Sequence, residues 1–368
     1  MNTFAILLKF FHLKKNGKKH RLLHYKSKTL MTNKKFIIKP ILIISILISV
    51  LTNSCKDTNP YDVDLSRVIE EPVIISRYEV ALFEANPYDL LKDLEPYQEE
   101  FSFFIGEGLQ TEQGQQQLFD FVTDRFLQEL YFDVTEKYTD LTFLETELSK
   151  AFRYYRYYYK DQANPKIFTY VSGLDSEMPI KYAEGNIIIG LDMYLGRQYL
   201  NYERAGVSAF RRLSCSKEYI TADIMKVMAE INMQSEINLP SNFLDFIIYE
   251  GKTLYFLDLM LPNTPDSIKI NYTTHQIRWM EKNSKNAWAY FIDNELLFTQ
   301  DRQIIRKFVG DAPFTAVFGH ESAPRAGVWF GWQIVREFMR RNPDISIQQL
   351  LLELKPQEIL NKSAYKPK

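Results

Sequence analysis

The sequence predicts an α+β fold, predominantly α-helical, built as a single domain with a small sheet. Three observations carry this. Helical spacing of apolar residues runs from Tyr88 to Tyr159 and again from Ser216 to the end. Two short segments between them, "KIFTYVSG" (Lys166–Gly173) and "NIIIGLDMYLG" (Asn186–Gly196), are rich in β-branched and aromatic residues and bounded by Gly and Pro, as strands are. No linker, repeat or low-complexity tract follows residue 73, and a body of about 300 residues buries enough surface to hold one large core.

The amino-terminal part reads differently. Residues 1–54 hold eleven Lys/Arg and no Asp/Glu, although the chain totals 45 basic and 46 acidic residues. From Cys55 onward 34 basic residues therefore face 46 acidic ones, a net of −12. An acidic body excludes nucleic acid as the expected partner, because phosphate binding needs a positive surface. From Met31, "MTNKKFIIKPILIISILISVLTNSC" gives basic residues, an apolar run from Ile41 to Leu51, then small polar residues before Cys55. That order is a secretion signal. The run falls short of the roughly 20 residues of a membrane-spanning helix. A cysteine at this point predicts a lipoprotein, cleaved before Cys55 and lipidated on its thiol. Ser54 suits position −1, whereas Leu51 lies at −4, a looser box of the kind found in Bacteroidetes. An uncleaved anchor is the alternative, and either reading puts the body outside the cytoplasm. The expected organisation is 1–30, an overcalled start or a cytoplasmic extension; 31–54, a lipoprotein signal peptide; 55–72, a polar tether; and 73–368, the globular domain.

Along that domain, "VIISRYEVALF" (Val73–Phe83) has strand composition. "FRYYRYYYK" (Phe152–Lys160) could stack bases, but helical spacing splits its aromatics onto two packing faces with Arg153, Arg156 and Lys160 at the rims, and the acidic body favours packing. Cys215 has no disulfide partner if Cys55 is lipidated, and reads as a small packed residue rather than a nucleophile.

The chemistry-bearing question lies in "DIMKVMAEINMQSEINLPSNFLDFIIYEGKTLYFLDLMLP" (Asp223–Pro262). It reads as two helices. In the first, Ile220, Ile224, Val227 and Ile231 form a core stripe. The second is apolar nearly all round, yet carries Glu250, followed by Gly251, with the glutamate expected on an inward face with Phe243, Phe246, Ile247, Leu254 and Leu257. Gly251 costs about 1 kcal/mol in a helix interior, which predicts the close approach of a backbone or a bulky group. A helix pair of this kind is how two-helix zinc peptidases build their site, with H-E-x-x-H on the first helix and a glutamate on the second. Here the corresponding residues are Ala229, Glu230, Ile231, Asn232 and Met233. Alanine and a thioether cannot replace the histidines, and after Cys55 only His275 and His320 remain, far downstream. The expectation is a degenerate zincin-like (metallopeptidase-like) core with no metal, no cofactor and no catalytic residue. An ordinary amphipathic helix is the other reading of "AEINM". Glu230, Glu250, Gly251, Lys252, Arg325 and Trp329 are the candidate cleft, with Lys252 or Arg325 as partner to Glu250. A hydrolase using Glu230 and Glu250 without metal would need both carboxylates facing one open pocket.

Four blocks carry a family resemblance: "IIIGLDMYLG" (Ile187–Gly196), "FIIYEGKTLYFLDLMLP" (Phe246–Pro262), "PRAGVWFGWQIVREFM" (Pro324–Met339) and "ILNKSAYKP" (Ile359–Pro367). With the leader, in this order, they resemble the gliding motility lipoprotein GldB of Bacteroidetes. The resemblance implies an envelope protein required for gliding and linked to secretion of surface adhesins. Its implied partners are a membrane, through the lipid, and other gliding or secretion proteins of the envelope. It implies no enzymatic activity.

Overall fold

The computed structural model describes residues 59–105, 110–160, 162–233 and 240–367. The leader and Cys55 lie outside the described residues.

The first strand, β1 (Ile75–Arg77), is short because Tyr78 already opens a helix. This corrects the expectation of a strand over Val73–Phe83. The reason is local: Glu79 is buried, and its carboxylate accepts from Arg77 Nε at 2.8 Å and Thr169 Oγ1 at 2.7 Å, which locks the turn. Helices follow: α1 (Tyr78–Phe83), α2 (Leu90–Leu94), α3 (Ser102–Ile105), α4 (Glu112–Thr123), α5 (Arg125–Lys137) and α6 (Thr142–Tyr158). Then come β2 (Lys166–Tyr170), β3 (Ile180–Ala183) and β4 (Asn186–Gly190). The remainder is α7 (Leu200–Arg204), α8 (Ile220–Asn232), α9 (Phe243–Met260), α10 (Asp266–Ile270), α11 (Thr274–Asp293), α12 (Arg302–Val309), α13 (Ala326–Arg341), α14 (Ile347–Leu352) and α15 (Pro356–Ser363).

The sheet runs β1-β2-β4-β3. β1 and β4 are parallel to β2, and β3 is an antiparallel edge paired with β4. Parallel neighbours need long crossovers; α1–α6 supply the one from β1 to β2, and the connection from β2 to β4 runs through the edge strand β3. Side-chain alternation sorts the strands onto two cores: Ile167, Ile187 and Ile189 join the main cluster with α6, α8, α9 and α13, while Phe168 joins a smaller cluster with α1 to α4. The sequence reading found β2 and β4 but missed β3, and it ran β4 too far. Leu191–Tyr194 is a helical turn in which fully buried Asp192 accepts from Ser172 and Leu174, tying the ends of two strands together. Buried Cys215 is the packed residue expected, with burial pushing its thiol up to about 12. No helix among the described residues is long and apolar enough to cross a membrane.

Residues 59–72, read as tether, instead lie along the body. Tyr61, Val63 and Leu65 turn inward in alternation. Asn59 Nδ2 donates to Pro262 O, Tyr154 donates to Asp62 at 2.6 Å, Arg153 caps Leu65 O at 3.0 Å, and Arg156 caps Ile69 O at 2.9 Å. The arginines of the aromatic cluster thus hold this strap, while Phe152, Tyr154 and Tyr155 are buried.

Candidate functional site

The site is built on the crossing of α9 and α13. A capping box fixes the start of α9, with Asn242 accepting from Asp245 N and the Asp245 carboxylate accepting from Asn242 N. At the crossing the two backbones touch. A Cβ on Gly331 would sit 1.6 Å from Ile247 O, and one on Gly251 2.4 Å from Gly331 C and O. Gly327, one turn earlier, leaves room for Phe243 and Ile247. The close approach expected at Gly251 is therefore present, and it is backbone against backbone.

Past the crossing, α9 buries a carboxylate completely. It is Asp258, with no solvent exposure. Oδ1 accepts from Lys269 Nζ at 3.0 Å and Arg336 Nη2 at 2.6 Å; Oδ2 accepts from Trp332 Nε1 at 2.9 Å and Arg336 Nε at 2.7 Å. All four acceptor directions are used. Arg336 also grips Asp266 at 2.7 and 2.9 Å, so two carboxylates meet two cations. Burial works against the Arg336 charge, but the bonds and charges of Asp258 and Asp266 outweigh it and hold the guanidinium above its ordinary pKa. The guanidinium lies 3.6 Å over the Trp332 ring and reaches Tyr61 of the strap at 5.9 Å. One residue of α13 thereby links α9, α10 and the strap.

This network borders a groove of about 1380 Å³. Tyr61, Tyr255, Trp329, Gln333, Arg336 and Tyr365 are among the residues that line it. Trp329 stacks on Tyr272 at 6.3 Å and meets Trp332 edge-on at 6.1 Å. The Gln333 amide nitrogen is buried without a partner among the described residues. Aromatic walls around a few fixed polar groups make a binding surface. At this rim Glu337 pairs with two arginines and is held at about 2 chiefly by its bonds from Arg340, against some burial, with Arg341 adding to the hold.

The candidate cleft residues do not converge. Trp329 lines the groove. Lys252 is buried elsewhere, donating to Leu351 O at 3.3 Å and Leu354 O at 3.0 Å, and burial lowers its pKa to about 8. Arg325, in left-handed backbone with φ 45°, donates to Ile270 O at 3.1 Å. Neither pairs with Glu250, which has no ion pair among the described residues. Glu250 is half-buried with Asp245, Phe246 and Tyr249 on the open side of α9, so its assignment to the inward face is corrected. Glu230 and Glu250 are brought together from separate helices. Glu230 is exposed overall, yet crowding of its carboxylate, then the charge of Glu250, raise its pKa. Neither lines the groove. Ala229 and Met233 are buried, so apolar side chains fill the two positions where the peptidase pattern has histidines. No three His, Cys, Asp or Glu residues converge among the described residues. The donor set does not fit a zinc ion of the peptidase type.

The fold, the four sequence blocks and this crossing can be set beside known proteins. Residues 58–367 match the family described as gliding motility protein GldB. The chain belongs to the GldB family. No curated protein and no solved structure matches it. The family is one of gliding motility lipoproteins, which gives the chain a place at the cell envelope, anchored to a membrane. The match begins at residue 58 and so takes in the strap as well as the helices that hold the groove.

Sequence reasoning missed Asp258, Lys269, Trp332 and Arg336. The signal was present: Asp258 interrupts "LYFLDLM" as Glu250 interrupts "IIYEGK", and a carboxylate in an apolar run needs a partner whichever one is buried.

Proposed function

We propose that the chain is a non-catalytic lipoprotein of the gliding apparatus, linked to secretion of surface adhesins, with its body facing the periplasm from a lipid on Cys55. Its partners are other gliding or secretion proteins of the envelope, engaged through the groove beside Arg336 and Trp329. Family membership over residues 58–367 carries this reading. The frame is that of a degenerate peptidase. Support comes from an antiparallel edge strand, β3, packed against α8, a second helix carrying Glu250 behind it, and apolar residues where ligands would stand.

One observation favours a second reading, a metal-independent hydrolase. Glu230 and Glu250 lie close enough to interact, and burial of the Glu230 carboxylate, then the Glu250 charge, raise the pKa of Glu230, as the acid of an acid–base pair requires. Complementation separates the two. Glu230→Gln and Glu250→Gln, expressed in a strain lacking the gene, should restore spreading fully under the non-catalytic reading. Loss of spreading with wild-type folding and wild-type pull-down of envelope partners would favour the hydrolase instead. Lipidation has its own check: Cys55→Ser should abolish labelling by a fatty-acid probe, and retained labelling would refute the anchor.

A further inference from the structure

A second pocket, of about 460 Å³, shares Gln348 with the groove and is lined by neither Glu230 nor Glu250. The end of α6, the β3–β4 hairpin, α8 and α14 enclose it. Its volume is within the range of small-molecule sites. Its described lining contains no Asp, Glu, Lys, Arg or His. In a chain with one charged residue in four, that selects against a charged ligand.

What the lining offers is phenol and amide. Tyr155 and Tyr159 stack at 4.6 Å, and the half-exposed ring of Tyr182 stands at the rim. The Tyr159 hydroxyl is buried and has no partner among the described residues. A buried hydroxyl left without a partner is unfavourable, so it calls for a group supplied from outside. The amides are half used. Asn164 Oδ1 accepts from Arg156 at 2.5 Å, which leaves its N–H₂ to donate. Gln348 Nε2 donates to Tyr158 O at 2.7 Å, which leaves its carbonyl to accept. The free set includes one donor, one acceptor and one hydroxyl that can do both, with aromatic faces beside them.

We propose that this pocket binds a neutral saccharide unit. A sugar hydroxyl donates and accepts at once, so neighbouring hydroxyls satisfy all three groups, and the C–H face of the ring covers a tyrosine. An extended peptide instead pairs with a row of main-chain groups. Here the polar groups are side chains from separate elements.

The test is calorimetric titration of the full chain, solubilised in a detergent without a sugar headgroup, with maltotetraose, cellotetraose, the N-acetylglucosamine tetramer and tetra-alanine amide. At least one saccharide should bind. Tyr159→Phe should weaken it roughly fivefold, the worth of one hydrogen bond, without lowering the melting temperature, because the variant removes an unpartnered hydroxyl. Tyr182→Ala should weaken it as well. Three results would overturn the proposal: no saccharide binds, both variants bind as the wild type does, or tetra-alanine amide binds more tightly than every sugar.

Discussion

Gly331→Ala is the sharpest perturbation of the α9–α13 crossing. On propensity alone the change gains about 1 kcal/mol, since alanine suits a helix interior better than glycine. The geometry opposes it. The new Cβ would sit 1.6 Å from Ile247 O, where real contacts essentially never fall below 3.0 Å. The obstacle is main chain, which cannot rotate away as a side chain can. The helices must separate by about 1.4 Å along a seam that includes Phe243, Ile247 and Trp332, and at such a gap close-packed atoms lose much of their attraction. Overpacking of this sort costs about 1–3 kcal/mol and occasionally more, and main chain against main chain belongs at the upper end. Set against the propensity gain, a net loss of about 2 kcal/mol lowers the melting temperature by roughly 3–6 °C in a domain of this size. Gly251→Ala meets the same seam at 2.4 Å and should act in the same direction. The two changes should not add, because one separation relieves both. Thermal melts of the single and double variants, followed by circular dichroism, measure this. A Gly331→Ala protein melting within about 1 °C of the wild type would refute the backbone-contact argument.

Three further outcomes follow from the charges. Lys252 carries a folded pKa lowered to about 8 by burial, below its value in the unfolded chain. Between pH 8 and 10.5 the unfolded chain therefore binds more protons, and stability should rise with pH, by about 3 kcal/mol at most. Cys215, with its thiol raised to about 12, and the buried tyrosines pull the other way as pH rises, so chemical denaturation between pH 7.5 and 9.5 is run on the wild type and Lys252→Met side by side: the wild type should gain stability relative to the variant across this window, and equal slopes would refute the assignment. Asp258→Ala leaves Lys269 and Arg336 facing a void and should cost about 3–5 kcal/mol in a denaturant titration, whereas a loss under about 1 kcal/mol would show the network to be slack. Glu250→Ala should change stability by less than about 1 kcal/mol, since it removes a half-exposed group whose charged neighbour is another carboxylate; a melt showing a loss above about 3 kcal/mol would mean a buried partner.

The helix pair, the two central strands and the tight contact at Gly251 were legible because each is written in local pattern or in a residue with one physical use. The open side of α9 was not. A helix apolar nearly all round has no preferred face of its own, so whether Glu250 or Asp258 is buried depends on where α13 crosses it. That is fixed by Gly327 and Gly331, some 80 residues downstream. The strap was misread for the opposite reason. "YDVDL" alternates clearly, but its acidic and proline-containing surroundings suggested a solvated chain, and the arginines that hold it belong to α6. β3 is four residues long and pairs only with β4, too little for strand composition to register.

The strap also decides how the body would bear tension. A pull entering from the amino-terminal side at Asn59 meets its first hold at Pro262, just beyond the end of α9, then Tyr154, Arg153 and Arg156 along α6. These attachments follow one another along the chain. A peeling force would release them one at a time, whereas a force along the strap would load them together. The direction of pull would then set the breaking load, and Tyr61 over Arg336 places the groove at the first point to yield. In a gliding motility protein anchored to a membrane, strain on the anchor would reach the groove before it reached the sheet.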